Sequence, residues 1–313
     1  MGLPKWLHLQ EYSTSLTKRE NSPKILPEMA TIQQCLSSFL FDAHRATLER
    51  GEELLLGLKP VREYYLAECQ AQEQTFKAEN GESVNALHFP GTVNKAIIFL
   101  QGNGCFYETS VEKPLRWIKG MGEDRPHLLV FNPRGTGKST GITTPDYVAK
   151  DFKLVFDYLV QSCQVDPNYV VLGGHSMGAF FGAEGAAQIQ DLFPSNPIHF
   201  LSDRSLKDIL DRVAKKTDSK LKAFGVQQAI KYYQWNKDPI AALGRLKGRV
   251  CILYHPSDEV IPYKESTYYG LKKTQIQYTY LCMEEIEGSA HNRPFTEAEN
   301  QYIITELRKM LDI

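Results

Sequence analysis

Gly174-His175-Ser176-Met177-Gly178 follows a short β-branched run, Tyr169-Val170-Val171-Leu172-Gly173. Behind it comes Ala179-Phe180-Phe181-Gly182-Ala183-Glu184-Gly185-Ala186-Ala187, small and apolar throughout. The first flank reads as a buried strand and the second as a buried helix. A serine at such a strand-to-helix turn, with glycine two residues away on both sides, has the pattern of a nucleophile elbow. The turn leaves no room for a Cβ at the flanking positions, and it presents the serine hydroxyl above the sheet edge at the helix N-terminus. The alternative reading is an ordinary glycine-rich strand–helix turn, and the surrounding elements decide between the two.

A serine hydroxyl is a poor nucleophile until a base takes its proton, and that base needs a partner to orient it. Among the eight histidines, His291 is the candidate base, because it follows the last strand in the loop Glu287-Gly288-Ser289-Ala290-His291. His175 adjoins the serine and should point away from it, and His255 lies ahead of the candidate acid in the chain. Asp258, just after the penultimate strand in His255-Pro256-Ser257-Asp258-Glu259-Val260-Ile261-Pro262, is the candidate acid. Asp203, after the strand ending at Leu201, is its rival, and Glu259 is read as turned away. Acyl transfer also needs N–H donors for a developing oxyanion. The amide of Met177 is one, and Gln101-Gly102-Asn103-Gly104 supplies the other through Asn103, with Cys105 and Tyr107 expected at the mouth.

Outward from the elbow, strands and helices alternate. Ala71 to Lys77, Glu82 to His88, Ala96–Leu100, His127–Phe131, Pro197–Leu201, Val250–Tyr254 and Gln275 to Cys282 read as strands. Helices are expected over Tyr147 to Cys163 and Phe295 to Leu311, the last with Thr296 as N-cap. This order implies a mostly parallel sheet with helices on both faces and a site at the carboxyl ends of the strands. Residues 67–313 form that α/β unit, and residues 1–66 an N-terminal helical extension with an amphipathic helix from about Ala30 to Leu56. A helix packed on the core is one reading of this extension and a protein-partner helix another. Residues 203–248 read as a helical lid insertion, with Phe224, Val226, Ile230, Tyr232 and Trp235 as its apolar surface.

The 313 residues are 42 % hydrophobic, and 36 basic against 37 acidic side chains leave no net field to attract nucleic acid. The six cysteines include no CxxC pair, which offers no zinc-ligand spacing and suits a reducing compartment. Cys163, Cys251 and Cys282 fall in apolar segments and read as core residues. No apolar run is long enough for a transmembrane span, and Met1 to Trp6 lacks both a secretory signal and a myristoylation motif. A cytoplasmic location is therefore expected. Gly135-Thr136-Gly137-Lys138-Ser139-Thr140 imitates a phosphate-binding loop. However, Asn132 stands where that loop needs glycine, and Pro133 has no amide to offer phosphate, so a structural turn is expected.

These landmarks, in this order, resemble the α/β-hydrolase superfamily from about Ala67 to the C-terminus. The Arg134-Gly135 turn has counterparts in many of its members. The stretches Gly102 to Glu108 and Ser202 to Ser205 further resemble a bacterial group first noted in chlamydiae, which implies a bacterium associated with host cells and allows delivery into them. Gln101 replaces the histidine common before the oxyanion glycine, and His255 replaces a common glycine. The resemblance implies a serine hydrolase without cofactor or metal, acting on an ester, thioester or related acyl substrate, and the apolar residues of the 203–248 insertion make a lipid-like acyl chain one candidate. Ser176, His291 and Asp258 would form its triad. A non-catalytic binding module, an acyltransferase and a nucleotide-binding protein are the rival readings.

Overall fold

A computed structural model describes residues 32–217, 219–286 and 288–313. The expectations for Met1 to Trp6 and for the helix start at Ala30 lie outside these residues. Among the described residues, eight strands form one sheet in the order β1-β2-β4-β3-β5-β6-β7-β8. They are β1 (Gln72–Lys77), β2 (Ser83–Phe89), β3 (Ala96–Leu100), β4 (His127–Asn132), β5 (Val170–His175), β6 (His199–Asp203), β7 (Val250–Tyr254) and β8 (Thr279–Cys282). Only β2 runs against its neighbours; β4, β3, β5, β6, β7 and β8 are parallel.

The continuous apolar runs are explained by burial on both faces. In β3, Ile98 and Leu100 face one core, while Ile97 and Phe99 face the other; Leu172 and Val171 divide in the same way in β5. This is the two-residue period of an extended chain. Helices cover both faces of the sheet. They are α1 (Ile32–Leu40), α2 (Asp42–Glu68), α3 (Tyr107–Ser110), α4 (Glu112–Gly120), α5 (Pro145–Gln161) and α6 (Met177–Leu192). After β6 come α7 (Ile209–Lys216), α8 (Lys220–Tyr232) and α9 (Pro239–Gly244), then α10 (Thr267–Leu271) and α11 (Glu297–Leu311). Helices α5 and α6 pack on one face, and α4, α11 and the end of α2 on the other. The N-cap Thr296 and Glu299 form a reciprocal capping box that starts α11.

The single N-terminal helix expected over Ala30 to Leu56 is instead two. Phe41 takes an extended conformation between α1 and α2, and Gly51 (φ 47°) bends α2. Leu36, Leu40 and Phe41 join the main core, so the described part of the extension packs on the sheet domain. Phe41 packs against Phe181 and Trp235 at ring separations of 5.4 and 6.4 Å.

The false phosphate loop is the receptacle for this segment. Ser37 Oγ donates to the Thr143 carbonyl (2.6 Å), His44 Nδ1 lies 2.7 Å from the Gly135 carbonyl, and the Gly137 amide donates to Thr47 Oγ1 (2.9 Å). A Cβ on Gly135 would come within 2.6 Å of the His44 ring, so glycine there is a docking requirement as well as a turn requirement. Arg134 is spent on Asp151 (2.6 Å), which anchors the turn to α5.

Among its described residues, the region between β6 and β7 holds the helices α7, α8 and α9. Ile230 and Trp235 are buried, whereas Phe224 and Tyr232 are exposed. Among the described residues no helix is long and apolar enough to cross a membrane. All six cysteines are unpaired. Cys251 is buried as expected, but Cys282 is exposed, because at the end of the edge strand β8 its side chain lies on the open face.

Burial also leaves several histidines neutral. Desolvation holds His88 and His199 at about 4 and His175 at about 3, against 6.5 in a free chain. Near pH 5 the unfolded chain therefore binds protons that the folded chain refuses. The stability these groups lend is whole above about pH 6.5 and is lost as pH falls towards 4. We expect urea midpoints to decline over that interval; a flat profile would show that these rings protonate freely in the fold.

Candidate active site

The site is built at the carboxyl ends of β3, β5, β6 and β7. Ser176 follows β5 directly, with φ 53° and ψ −121°, a conformation that L-residues rarely adopt. Its amide donates to the Asp203 carbonyl (2.7 Å), and its carbonyl accepts from Ser205 Oγ (2.9 Å), so the end of β6 holds the strained residue on both sides. A Cβ on Gly174 would meet the Gly178 backbone at 2.6 Å, and one on Gly178 would meet the Leu100 carbonyl at 2.5 Å. The two glycines of the pattern therefore let β5, β3 and α6 converge on the serine.

His291 Nε2 lies 3.0 Å from Ser176 Oγ, and His291 Nδ1 lies 2.8 Å from Asp258 Oδ2. The other carboxylate oxygen of Asp258 accepts from the amides of Val260 and Ile261 (2.9 and 2.7 Å), which fixes its orientation. All three side chains are buried. With Nδ1–H directed at the carboxylate, the ring presents the Nε2 lone pair to the serine hydroxyl.

The loop that carries His291 is held from two directions. Arg204 Nη1 donates to the carbonyls of Ala290 and Arg293 (3.0 and 3.1 Å), on either side of the histidine. Glu259 accepts from the His291 amide (3.3 Å) and from Ser289 Oγ. Glu259, expected to turn away, thus supports the loop through its carboxylate. Neither clamp is legible in the sequence, because each joins residues 30 or more positions apart and acts mainly on backbone atoms.

Asp203 does not reach His291. Its carboxylate is taken by His175 Nδ1 (2.9 Å), Lys113 Nζ (2.8 Å) and Arg204 Nε (2.7 Å). Burial alone would raise this carboxyl, but Arg204, Lys113 and His175 together hold it well below the usual carboxylate range. His175 directs Nδ1 at Asp203, and its ring packs at 4.8 Å against that of His291. A second acid–histidine pair therefore lies against the first, and it is saturated by cations.

At the oxyanion loop, Met177 is the first residue of α6, so its amide has no acceptor within the helix. A Cβ on Gly102 would lie 3.4 Å from that of Ser176, which places this loop against the serine. The Asn103 side chain has a role that sequence reasoning missed. Its Oδ1 accepts from the Asp42 amide (2.7 Å), and its Nδ2 donates to the Leu40 carbonyl (3.0 Å) and to Asp42 Oδ2 (2.9 Å). The loop is thereby tied to the junction of α1 and α2. Gln101 Nε2 donates to the Phe131 carbonyl and Asn132 Oδ1 (2.9 and 3.0 Å), bracing the loop from below. His255 receives the Ser257 amide (3.1 Å) and bonds the Glu284 carbonyl (3.0 Å), so it shapes the turn before Asp258.

A cavity of about 40 Å³ adjoins the loop; Phe41, Cys105, Val148, Met177 and Phe181 are among the residues that line it. Cys105 is thus near the site as expected. Tyr107 is not, because its hydroxyl is drawn into the core by a 2.6 Å hydrogen bond to Asn85 Oδ1.

The family profile for the alpha/beta hydrolase fold matches residues 95–196. A multifunctional-autoprocessing repeats-in-toxin protein of Vibrio vulnificus is 27 % identical over 124 residues, which are 37 % of this chain and 2 % of that protein. An uncharacterised protein of Acanthamoeba polyphaga mimivirus, R595, is 24 % identical over 224 residues, covering 68 % of this chain and 72 % of its own. The crystal structure of an alpha-beta hydrolase (ABH) from Vibrio vulnificus superimposes with a TM-score of 0.66 at 18 % identity, over 94 % of this chain and 98 % of that one. The Pyrococcus furiosus esterase Pf2001 gives 0.59 at 13 % identity, over 80 % and 93 %. The narrower likeness to a chlamydial group finds no support in these matches.

Proposed function

We propose that this chain, which has the α/β-hydrolase fold, is a serine hydrolase that cleaves an acyl substrate through an acyl-enzyme. The observation that carries the reading is the unbroken line from Ser176 Oγ to His291 Nε2 and from His291 Nδ1 to Asp258, set at a strained elbow.

In this mechanism Ser176 Oγ attacks the acyl carbon while His291 takes its proton, and Asp258 stabilises the resulting imidazolium. The carbonyl oxygen becomes an oxyanion between the amides of Met177 and Asn103. Each such donor is worth about a hundred- to a thousandfold in rate. Collapse expels the leaving group, which takes the proton from His291. Water then repeats the sequence on the acyl-serine, or an alcohol does so if the enzyme transfers rather than hydrolyses. The apolar cavity beside the two amides supports a substrate with a hydrocarbon end, and the exposed Leu221, Phe224 and Tyr232 of α8 support a lid that meets apolar ligands.

A fluorophosphonate probe tests the reading directly. Wild type should be labelled and Ser176→Ala should not; a folded wild type that resists the probe would favour a binding module instead. A second test separates the Asn103 amide from its side chain. Asn103→Ala retains the backbone donor but frees the loop from residues 40–42. We expect kcat to fall about a hundredfold with little change in KM, the scale of an ångström-level misplacement. An unchanged kcat would show that the tether is irrelevant to catalysis.

A further inference from the structure

The edge of the sheet opposite Ser176, where β3 and β4 begin and β2 ends, brings together side chains that the sequence scatters. His88 comes from β2, His127 from the first position of β4, and Cys163 from the loop just after α5. One ligand atom of each lies within 4.8 Å of the other two. His88 is buried and the other two are partly so. We infer that His88, His127 and Cys163 form a binding site for zinc, separate from the hydrolase site.

The geometry already resembles a site closed around a proton. His88 Nε2 and His127 Nδ1 are 2.8 Å apart, with ring centroids at 5.1 Å and planes within 15° of parallel. These values describe two imidazoles meeting edge to edge, one N–H shared between two nitrogens. Zinc bonds of about 2.0–2.1 Å to nitrogen and 2.3 Å to sulfur put two nitrogens about 3.3 Å apart and nitrogen and sulfur about 3.6 Å apart. The nitrogens must open by about half an ångström, and the thiolate must close by about an ångström at most. A rotation of Cys163 in its loop supplies a movement of that size.

The surrounding groups suit a metal better than a bare hydrogen bond. The Tyr158 hydroxyl lies 3.3 Å from His88 Nδ1. It orients the His88 ring from behind, as second-layer partners do in zinc sites. Entry of the ion requires one ring to move its proton to the outer nitrogen, and the thiol releases its proton to solvent. Two neutral imidazoles, a thiolate and a water complete four-coordination. Zinc would then join β2, β4 and the end of α5, with one position held by water.

Cobalt(II) is the probe, because a cobalt–thiolate bond absorbs in the near ultraviolet and tetrahedral cobalt absorbs in the visible. Wild type titrated with Co²⁺ should develop both absorptions, and an equivalent of Zn²⁺ should abolish them. Cys163→Ser should lose the near-ultraviolet band, His127→Gln should bind at least a hundredfold more weakly, and Tyr158→Phe about tenfold more weakly. Zinc should also raise the thermal midpoint of wild type, followed by circular dichroism, and not that of Cys163→Ser. A wild type without the thiolate band in excess Co²⁺, or a Cys163→Ser protein that keeps it, would overturn the assignment.

Discussion

His291→Ala is expected to lower turnover of an activated ester by about a millionfold, to the level of Ser176→Ala, and the double variant should be no slower. The reason lies in the 3.0 Å contact between Nε2 and Oγ. Without the imidazole the hydroxyl keeps its proton at neutral pH, and without the hydroxyl the imidazole has no nucleophile to activate. Each loss therefore makes the other irrelevant. What survives is the background supplied by binding and the oxyanion amides. Single-turnover rates on a p-nitrophenyl ester, with circular dichroism as the folding control, read the effect. A His291→Ala enzyme within tenfold of wild type would remove this histidine from the chemistry.

The second large effect distinguishes two aspartates that the sequence alone could only rank. Asp258→Asn should fold normally and lose about ten-thousandfold in kcat. An amide at this position can turn its NH₂ towards His291, holding the ring in the tautomer that cannot accept the serine proton. Asp203→Asn should act on stability first. It leaves Lys113 and the fully buried Arg204 with no carboxylate between them, and losing one partner of a buried pair destabilises by about 3–5 kcal/mol. Urea midpoints and kcat should therefore move in opposite order in the two variants. A stable, inactive Asp203→Asn beside an active Asp258→Asn would reverse the assignment of the acid.

The legible parts of the chain were those whose signal is local. The runs Ala96–Leu100 and Val250–Tyr254 coincide with strands residue for residue, because burial on both faces demands uninterrupted apolar sequence. Ser176 could be read because its turn excludes side chains at fixed offsets. His291 and Asp258 could be read from their place after strands. The break at Phe41 was hidden, since the apolar spacing continues across it and only packing on Phe181 and Trp235 explains it. The support given by Arg204 and Glu259 was hidden because carbonyls and amides carry no sequence signal. The His88–His127–Cys163 cluster escaped for a related reason: its members come from three separate elements, and metal motifs are read from close spacing.

The docking of residues 37–47 on the 133–143 turn also governs the order in which the molecule can be completed. Ser37 waits for Thr143, 106 positions later; His44 for Gly135, 91 later; and Thr47 for Gly137, 90 later. At ribosomal speeds of about 5–20 residues per second, that interval is on the order of ten seconds. Throughout it, Leu36, Leu40 and Phe41 have no core to enter. A segment made early thus waits for partners made about a hundred residues later, and while it waits, its greasy face is open to chaperones and to other nascent chains.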